Sequence, residues 1–115
     1  MAENPVSTKV YLQPEGMVFG TILDLAEMQG AKVALSDARQ GKIHFTVELY
    51  GSRYWYCFSV SDIGSKRCRV RLVIEGTEVV QDKEIMLRRQ FALLDSMLAI
   101  NADMEFDGAD IESKN

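Results

Sequence analysis

The spacing of hydrophobic residues along the chain has two periods, one typical of strands and one typical of helices. Apolar and polar residues alternate in the predicted strands, which cover residues 6–12, 31–36, 42–50, 53–61 and 66–75. Apolar residues recur every three to four positions in the two predicted helices, which cover residues 15–29 and 82–101. The predicted order of elements is therefore β-α-β-β-β-β-α.

The two strands with the clearest alternation are predicted to form a hairpin. Gly51 and Ser52 lie between them and fit a two-residue turn with glycine first. This turn places Leu49 opposite Tyr54, and it brings all the apolar positions of both strands onto one face. A slip of one residue would turn the apolar side chains to the other face, so we predict that the register is well specified.

A loop at residues 63–65 is predicted to join the second of these strands to the next. With three residues in the loop, Trp55 lies opposite Val73 and the apolar positions stay on one face. The same arrangement puts Cys57 and Cys68 on opposite faces of the sheet, where they cannot meet disulfide geometry. We therefore predict two free thiols, with Cys68 buried and Cys57 accessible.

Strands joined by tight turns must be antiparallel, and a sheet with one apolar face needs a second layer to cover it. The sequence therefore predicts an α+β fold: a two-layer sandwich of an antiparallel five-stranded sheet with two helices on one face. This order resembles one repeat of the TATA-box-binding protein, and also a reduced helix-grip fold of the kind found in plant-pollen-allergen and lipid-transfer domains. The resemblance covers residues 6–101 as topology only, and no functional residue is carried over from it.

Charge is distributed unevenly along the 115 residues, whose formal net charge is −4. The last 13 residues account for all of it, because they contain Asp103, Glu105, Asp107, Asp110 and Glu112 beside Lys114. Acidic and basic residues balance in the remainder. We predict one domain at residues 1–102, followed by an acidic, solvated C-terminal tail at residues 103–115.

Composition narrows the classes of function. Hydrophobic residues make up 47% of the chain, yet no apolar run approaches the roughly 18 residues of a membrane span, so no membrane segment is predicted. Met1–Pro5 is polar and acidic, and with only two cysteines we predict a cytoplasmic protein. One histidine and no ligand spacing predict no metal site, and no cofactor motif is present.

The polar face of the predicted sheet carries the most distinctive residues. Large aromatic and basic side chains lie there, and the predicted binding surface consists of His44, Tyr50, Trp55, Arg67, Arg69 and Arg71. Tryptophan, tyrosine and arginine are the residues enriched where proteins bind one another. We therefore predict a small non-enzymatic binding or adaptor domain that acts through this face, with a protein partner or a second copy in a homodimer.

Two alternatives remain open. The same face can bind nucleic acid or another anion, although a neutral body provides no long-range field to attract one. A carrier of a small apolar ligand between sheet and last helix is the other alternative, since methionines that adapt to a ligand occur at positions 17, 28, 86 and 97. Catalysis by His44 with Cys57 or Ser59 is disfavoured on a flat face without oxyanion donors.

Overall fold

The computed structural model describes the backbone of residues 6–49, 51–76 and 80–114, and side chains within residues 7–48, 53–75 and 83–100. The elements, in chain order, are β1 (Val6–Tyr11), α1 (Glu15–Met28), β2 (Lys32–Asp37), β3 (Lys42–Leu49), β4 (Ser52–Gly64), β5 (Arg67–Gly76) and α2 (Val80–Lys114). All strand pairs are antiparallel, in the spatial order β1-β5-β4-β3-β2. The predicted α+β architecture is confirmed.

The core forms where the inward face of the sheet meets both helices. Inward residues alternate along β3 and β4, so Phe45 lies against Tyr56 with ring centroids 5.4 Å apart and against Phe58 at 5.8 Å. Phe58 in turn meets Phe91 of α2 edge to face at 6.5 Å. These aromatic contacts connect the sheet layer to the helix layer, and Leu94 is fully buried one turn further along α2.

The hairpin between β3 and β4 has a different register from the one predicted. Leu49 lies opposite Ser52 and Val47 opposite Tyr54, a displacement of two residues along the strand. Gly51 has φ +80°, so the glycine takes the left-handed conformation at the second position of this turn, where the prediction placed it first. Every side chain stays on the predicted face because the displacement is an even number of residues.

The turn between β4 and β5 also differs from the prediction. Ser65 and Lys66 both have positive φ, 56° and 57°, as in the tight primed turns of β-hairpins, and Gly64 lies opposite Arg67 next to a bulge. The predicted three-residue loop is therefore wrong. Trp55 consequently lies opposite Glu75, not Val73.

The edge strand β1 is attached to α2 through one carboxylate. The Tyr11 hydroxyl donates a hydrogen bond to Asp95 at 2.7 Å, and Lys9 forms an ion pair with the same side chain. Burial, followed by this hydrogen bond, raises the pKa of Tyr11 well above its usual value. Tyr11 therefore points inward, whereas the apolar Val10 and Leu12 are exposed.

Helix α2 begins two residues before the predicted start and continues to Lys114, past the predicted end at residue 101. Its stripe of Leu87, Phe91, Leu94 and Leu98 is buried as predicted. Side chains beyond residue 100 lie outside the description, so the boundary between domain and acidic tail stays a prediction. Within the described residues, no helix is long and apolar enough to cross a membrane.

Candidate functional site

A cavity of about 500 Å³ lies between the sheet and α2. This volume is within the range of about 300–1,000 Å³ found for small-molecule sites. Most of its wall is apolar, formed by residues from α1, the central strands and α2, namely Met28, Val47, Tyr54, Ile85, Met86 and Leu93. The cavity borders the inward face of the sheet, whereas the binding surface predicted from the sequence lies on the outward face.

Local structure explains why these side chains meet. Val47 and Tyr54 are cross-strand neighbours on the inward face near the β3–β4 turn. On α2, Ile85, Arg89 and Leu93 are spaced by four residues, so they follow one another along one side of the helix. Met28 and Ile85 are 56% and 63% exposed, which leaves an apolar edge at the opening of the cavity.

Tyr56 lines the cavity with its side chain fully buried, and no group meets full hydrogen-bond geometry with its hydroxyl. Burial, and then the neighbouring Tyr54, raise the pKa of Tyr56 to about 12, against the opposing effects of hydrogen bonding by the Gln90 side chain and of the Arg89 charge. The group is therefore a protonated donor at neutral pH. A buried donor without a partner is costly to the folded state, and such groups are uncommon in native proteins.

A pair of glutamines closes the polar side of the cavity. Gln29 and Gln90 exchange two hydrogen bonds, with Nε2 to Oε1 distances of 2.9 and 2.7 Å. Gln29 also donates to the Leu25 carbonyl at 3.2 Å, which ties the pair to the last turn of α1. Gln90 is buried, so the pair joins α1 to α2 through interactions shielded from water.

Arg89 is the only charged residue that lines the cavity among the residues described, and no carboxylate lines it. The side chain is exposed, and within the same residues it forms no ion pair. Its positive charge lowers the pKa of Tyr56, less than burial raises it. The cavity thus combines a largely apolar wall with one cation, two tyrosines and the glutamine pair.

Sequence reasoning identified only part of this site. Of the four methionines considered for a ligand cavity, Met28 and Met86 line it and the other two do not. A signal for Tyr56 was present in the alternation of β4, because a buried tyrosine carries a polar group into the core. Gln90 is a second such signal, a polar residue within the buried stripe of α2.

The outer surface predicted from the sequence is present in part. Trp55 is 39% exposed, and together with His44, Cys57, Val73 and Glu75 it lines a shallow depression of about 470 Å³. His44 lies directly opposite Cys57. Tyr50 lies outside the described residues.

The predicted arginine row follows β5 on the same face. Arg67, Arg69 and Arg71 are all exposed, and none forms an ion pair with the residues the structure describes. Ser61 and Ser59 lie opposite Arg69 and Arg71. This row is therefore accessible to solvent, and the binding of a partner on it stays a prediction.

The cysteines are free thiols, Cys68 buried and Cys57 half-buried, which confirms that no disulfide joins them. Burial and the Glu75 carboxylate, whose Oε2 lies 4.0 Å from Sγ, raise the pKa of Cys57. A raised pKa leaves little thiolate, so Cys57 is a poor nucleophile. In the described part of the chain, no cluster of histidine, cysteine and acidic residues is arranged to hold a metal ion.

No protein-family model matches the sequence, and no curated protein matches it. The solved structures that are similar to this chain include the following three. The di-domain ARO/CYC StfQ from the steffimycin biosynthetic pathway is 13% identical over 90% of this chain, with a TM-score of 0.49, and this chain covers 46% of that protein. Ara h 8.0201 is 6% identical over 85% of this chain and 96% of its own, with a TM-score of 0.46. The Zhui aromatase/cyclase from Streptomyces sp. R1128 is 10% identical over 84% of this chain and 92% of its own, with a TM-score of 0.41.

These comparisons correct the prediction that the protein is not an enzyme. Two of the three structures are aromatase/cyclases, so the similar chains include enzymes. The prediction was based on the outer face of the sheet, which is flat and lacks oxyanion donors. A cavity on the inner face was considered only as a carrier site, and the structure shows a cavity there.

Proposed function

We propose that this protein binds a small, largely apolar ligand in the cavity between the sheet and α2. The observation that carries the proposal is the combination of size and lining: about 500 Å³ of space with an apolar wall. A site of this kind, with a few polar groups that fix orientation, is the usual form of a small-molecule site.

The exposed edge of the cavity supports the same proposal. Met28 and Ile85 keep more than half of their surface in contact with water, beside the buried Met86. A ligand that covers them gains about 25 cal/mol for each Å² of apolar surface removed from water. Methionine side chains are flexible and polarisable, so the opening can adapt to ligands of different shape.

Substitution at the edge of the cavity provides a direct test. We expect Ile85→Gln to weaken the binding of octanol, an uncharged apolar probe, by about fivefold, because it replaces exposed apolar surface beside the cavity with a polar amide. The control is Ile100→Gln, the same change at an isoleucine that is 58% exposed on α2 but does not line the cavity.

Isothermal titration calorimetry of the two variants and the unchanged protein gives the comparison. Equal loss of octanol binding in both variants would mean that the probe binds by general adhesion to the helix. No binding of octanol to the unchanged protein would contradict the proposed function.

A second candidate function is the binding of an acidic protein segment on the outer face. The observation that favours it is the row of Arg67, Arg69 and Arg71, which the described residues leave without ion pairs, on the same face as the exposed Trp55. Carboxylates of a partner would complement the arginines, while an aromatic of this size supplies contact area.

The fluorescence of Trp55, the only tryptophan, reports on this face. A poly-glutamate peptide should change the fluorescence at low salt, and less at 0.15 M where charges are screened beyond about 8 Å. The change should disappear in Arg69→Glu/Arg71→Glu and persist in Arg39→Glu, a charge reversal in the β2–β3 turn. Tighter binding of an oligothymidylate than of the peptide would favour nucleic acid instead.

A further inference from the structure

We infer that the ligand of the cavity is an apolar organic acid whose carboxylate binds between the Arg89 guanidinium and the Tyr56 hydroxyl. The inference rests on the proposed function and specifies the chemical class of the ligand. It is based on three features of the cavity: a buried donor without a full hydrogen bond, a single cation and the absence of any acidic side chain from the described lining.

The first feature is the Tyr56 hydroxyl. Its side chain is fully buried and lines the cavity, and no group meets full hydrogen-bond geometry with the hydroxyl, so Gln90, which lowers its pKa, satisfies it only in part. An unsatisfied buried donor costs the free energy of its lost hydration. An acceptor atom on the ligand would remove this cost, and an anionic oxygen is the strongest acceptor available.

The second feature is the charge of Arg89. This guanidinium lines the cavity and, among the described residues, has no carboxylate with which to pair. It lowers the pKa of Tyr56, so it already favours negative charge at the position of the hydroxyl. Because Arg89 is exposed, an ion pair there needs only partial dehydration of either group, which limits the cost of forming it.

The third feature restricts the ligand to one polar group. The side-chain amides of Gln29 and Gln90 bond to each other, and the remaining lining residues other than Arg89 and the tyrosines are apolar. A second polar group on the ligand that met only these apolar residues would lose its hydration without finding a partner. An amine of the same length would meet the Arg89 charge and no carboxylate, so the site discriminates against cations.

Probes of equal chain length that differ only in their polar group separate the contribution of this group to binding from that of the apolar chain. Octanoate, octanol and octylamine are titrated into the full chain at neutral pH by calorimetry. We expect octanoate to bind about tenfold more tightly than octanol, the effect of one charged hydrogen-bonded contact, and octylamine to bind most weakly.

Variants then assign the effect to residues. Arg89→Gln should weaken the binding of octanoate by about tenfold and change the binding of octanol by no more than about twofold. Arg88→Gln is the control, since Arg88 is an exposed neighbour on α2 that does not line the cavity. Tyr56→Phe should weaken the binding of octanoate without lowering the thermal unfolding midpoint. The substitution removes a hydroxyl with which no protein group meets full hydrogen-bond geometry.

The outcomes distinguish the inference from the proposed function. If none of the three probes binds, the proposed function itself is wrong. If octanol and octanoate bind equally, or Arg89→Gln and Arg88→Gln weaken octanoate equally, a ligand binds but the assignment of its acid group to Arg89 and Tyr56 is overturned.

Discussion

Replacing Leu94 with alanine is expected to lower the free energy of unfolding by about 2–5 kcal/mol. Leu94 is fully buried where α2 covers the sheet. The substitution removes apolar surface and leaves a void that the surrounding core residues fill only in part. This loss is a large fraction of the roughly 5–15 kcal/mol that stabilises a typical domain.

Chemical denaturation monitored by circular dichroism measures this change. Ile100→Ala is the control, because it truncates an aliphatic residue of the same helix that is 58% exposed, and it should cost less than about 1 kcal/mol. Equal denaturation midpoints for Leu94→Ala and the unchanged protein would show that α2 does not cover the sheet as the structure has it.

Alanine at Gly41 is expected to destabilise the protein by about 3 kcal/mol or more. Gly41 has φ +68°, and a Cβ atom there would lie 2.0 Å from the Val60 carbonyl oxygen. The carbonyl of Gly41 also accepts a hydrogen bond from the Val60 amide at 2.7 Å, which fixes the close approach of the two backbones. Relief of the clash would separate the start of β3 from β4.

The control for this variant is Gly30→Ala, because Gly30 has the same φ of +68° but open space around its missing Cβ. Its free energy of unfolding should fall only by the cost of holding alanine in the left-handed conformation, about 1–2 kcal/mol. The difference between the two variants therefore measures the clash alone. If chemical denaturation shows the same loss of stability for Gly41→Ala and Gly30→Ala, the backbone at Gly41 does not approach Val60 as closely as the structure has it.

In β1 the alternation indicated the wrong face, since the apolar Val10 is exposed and Tyr11 is buried. In β3, β4 and β5 the sequence predicted the faces correctly and the cross-strand partners incorrectly, for one physical reason. Side chains alternate with a period of two, so the pattern fixes which residues point inward but not a displacement by two residues. The partners depend on the turns, where Gly51, Ser65 and Lys66 take left-handed conformations. Ser65 and Lys66 are not residues for which positive φ is expected, so no local signal indicated that turn.

The candidate site was less predictable than the fold because it depends on how separate elements meet. The pattern of α2 places Arg89 on the polar side of that helix, and the pattern of β4 places Tyr56 on the apolar face of that strand. Neither pattern shows that both residues line one cavity. The path of α2 across the sheet decides this, and it also leaves the Tyr56 hydroxyl without a full hydrogen bond. Outer residues such as Trp55 were identifiable because exposure on a sheet follows from alternation alone.

The most direct test of ligand binding between the sheet and α2 is methyl nuclear magnetic resonance of the full chain during titration with octanoate. Met28 and Met86 line the cavity, whereas Met17 and Met97 pack against the core elsewhere. The account predicts that the methyl signals of Met28 and Met86 shift as octanoate binds, while those of Met17 and Met97 stay in place. Binding that shifts Met17 and Met97 but leaves Met28 and Met86 unchanged, or no shift of any methionine methyl signal, would contradict it.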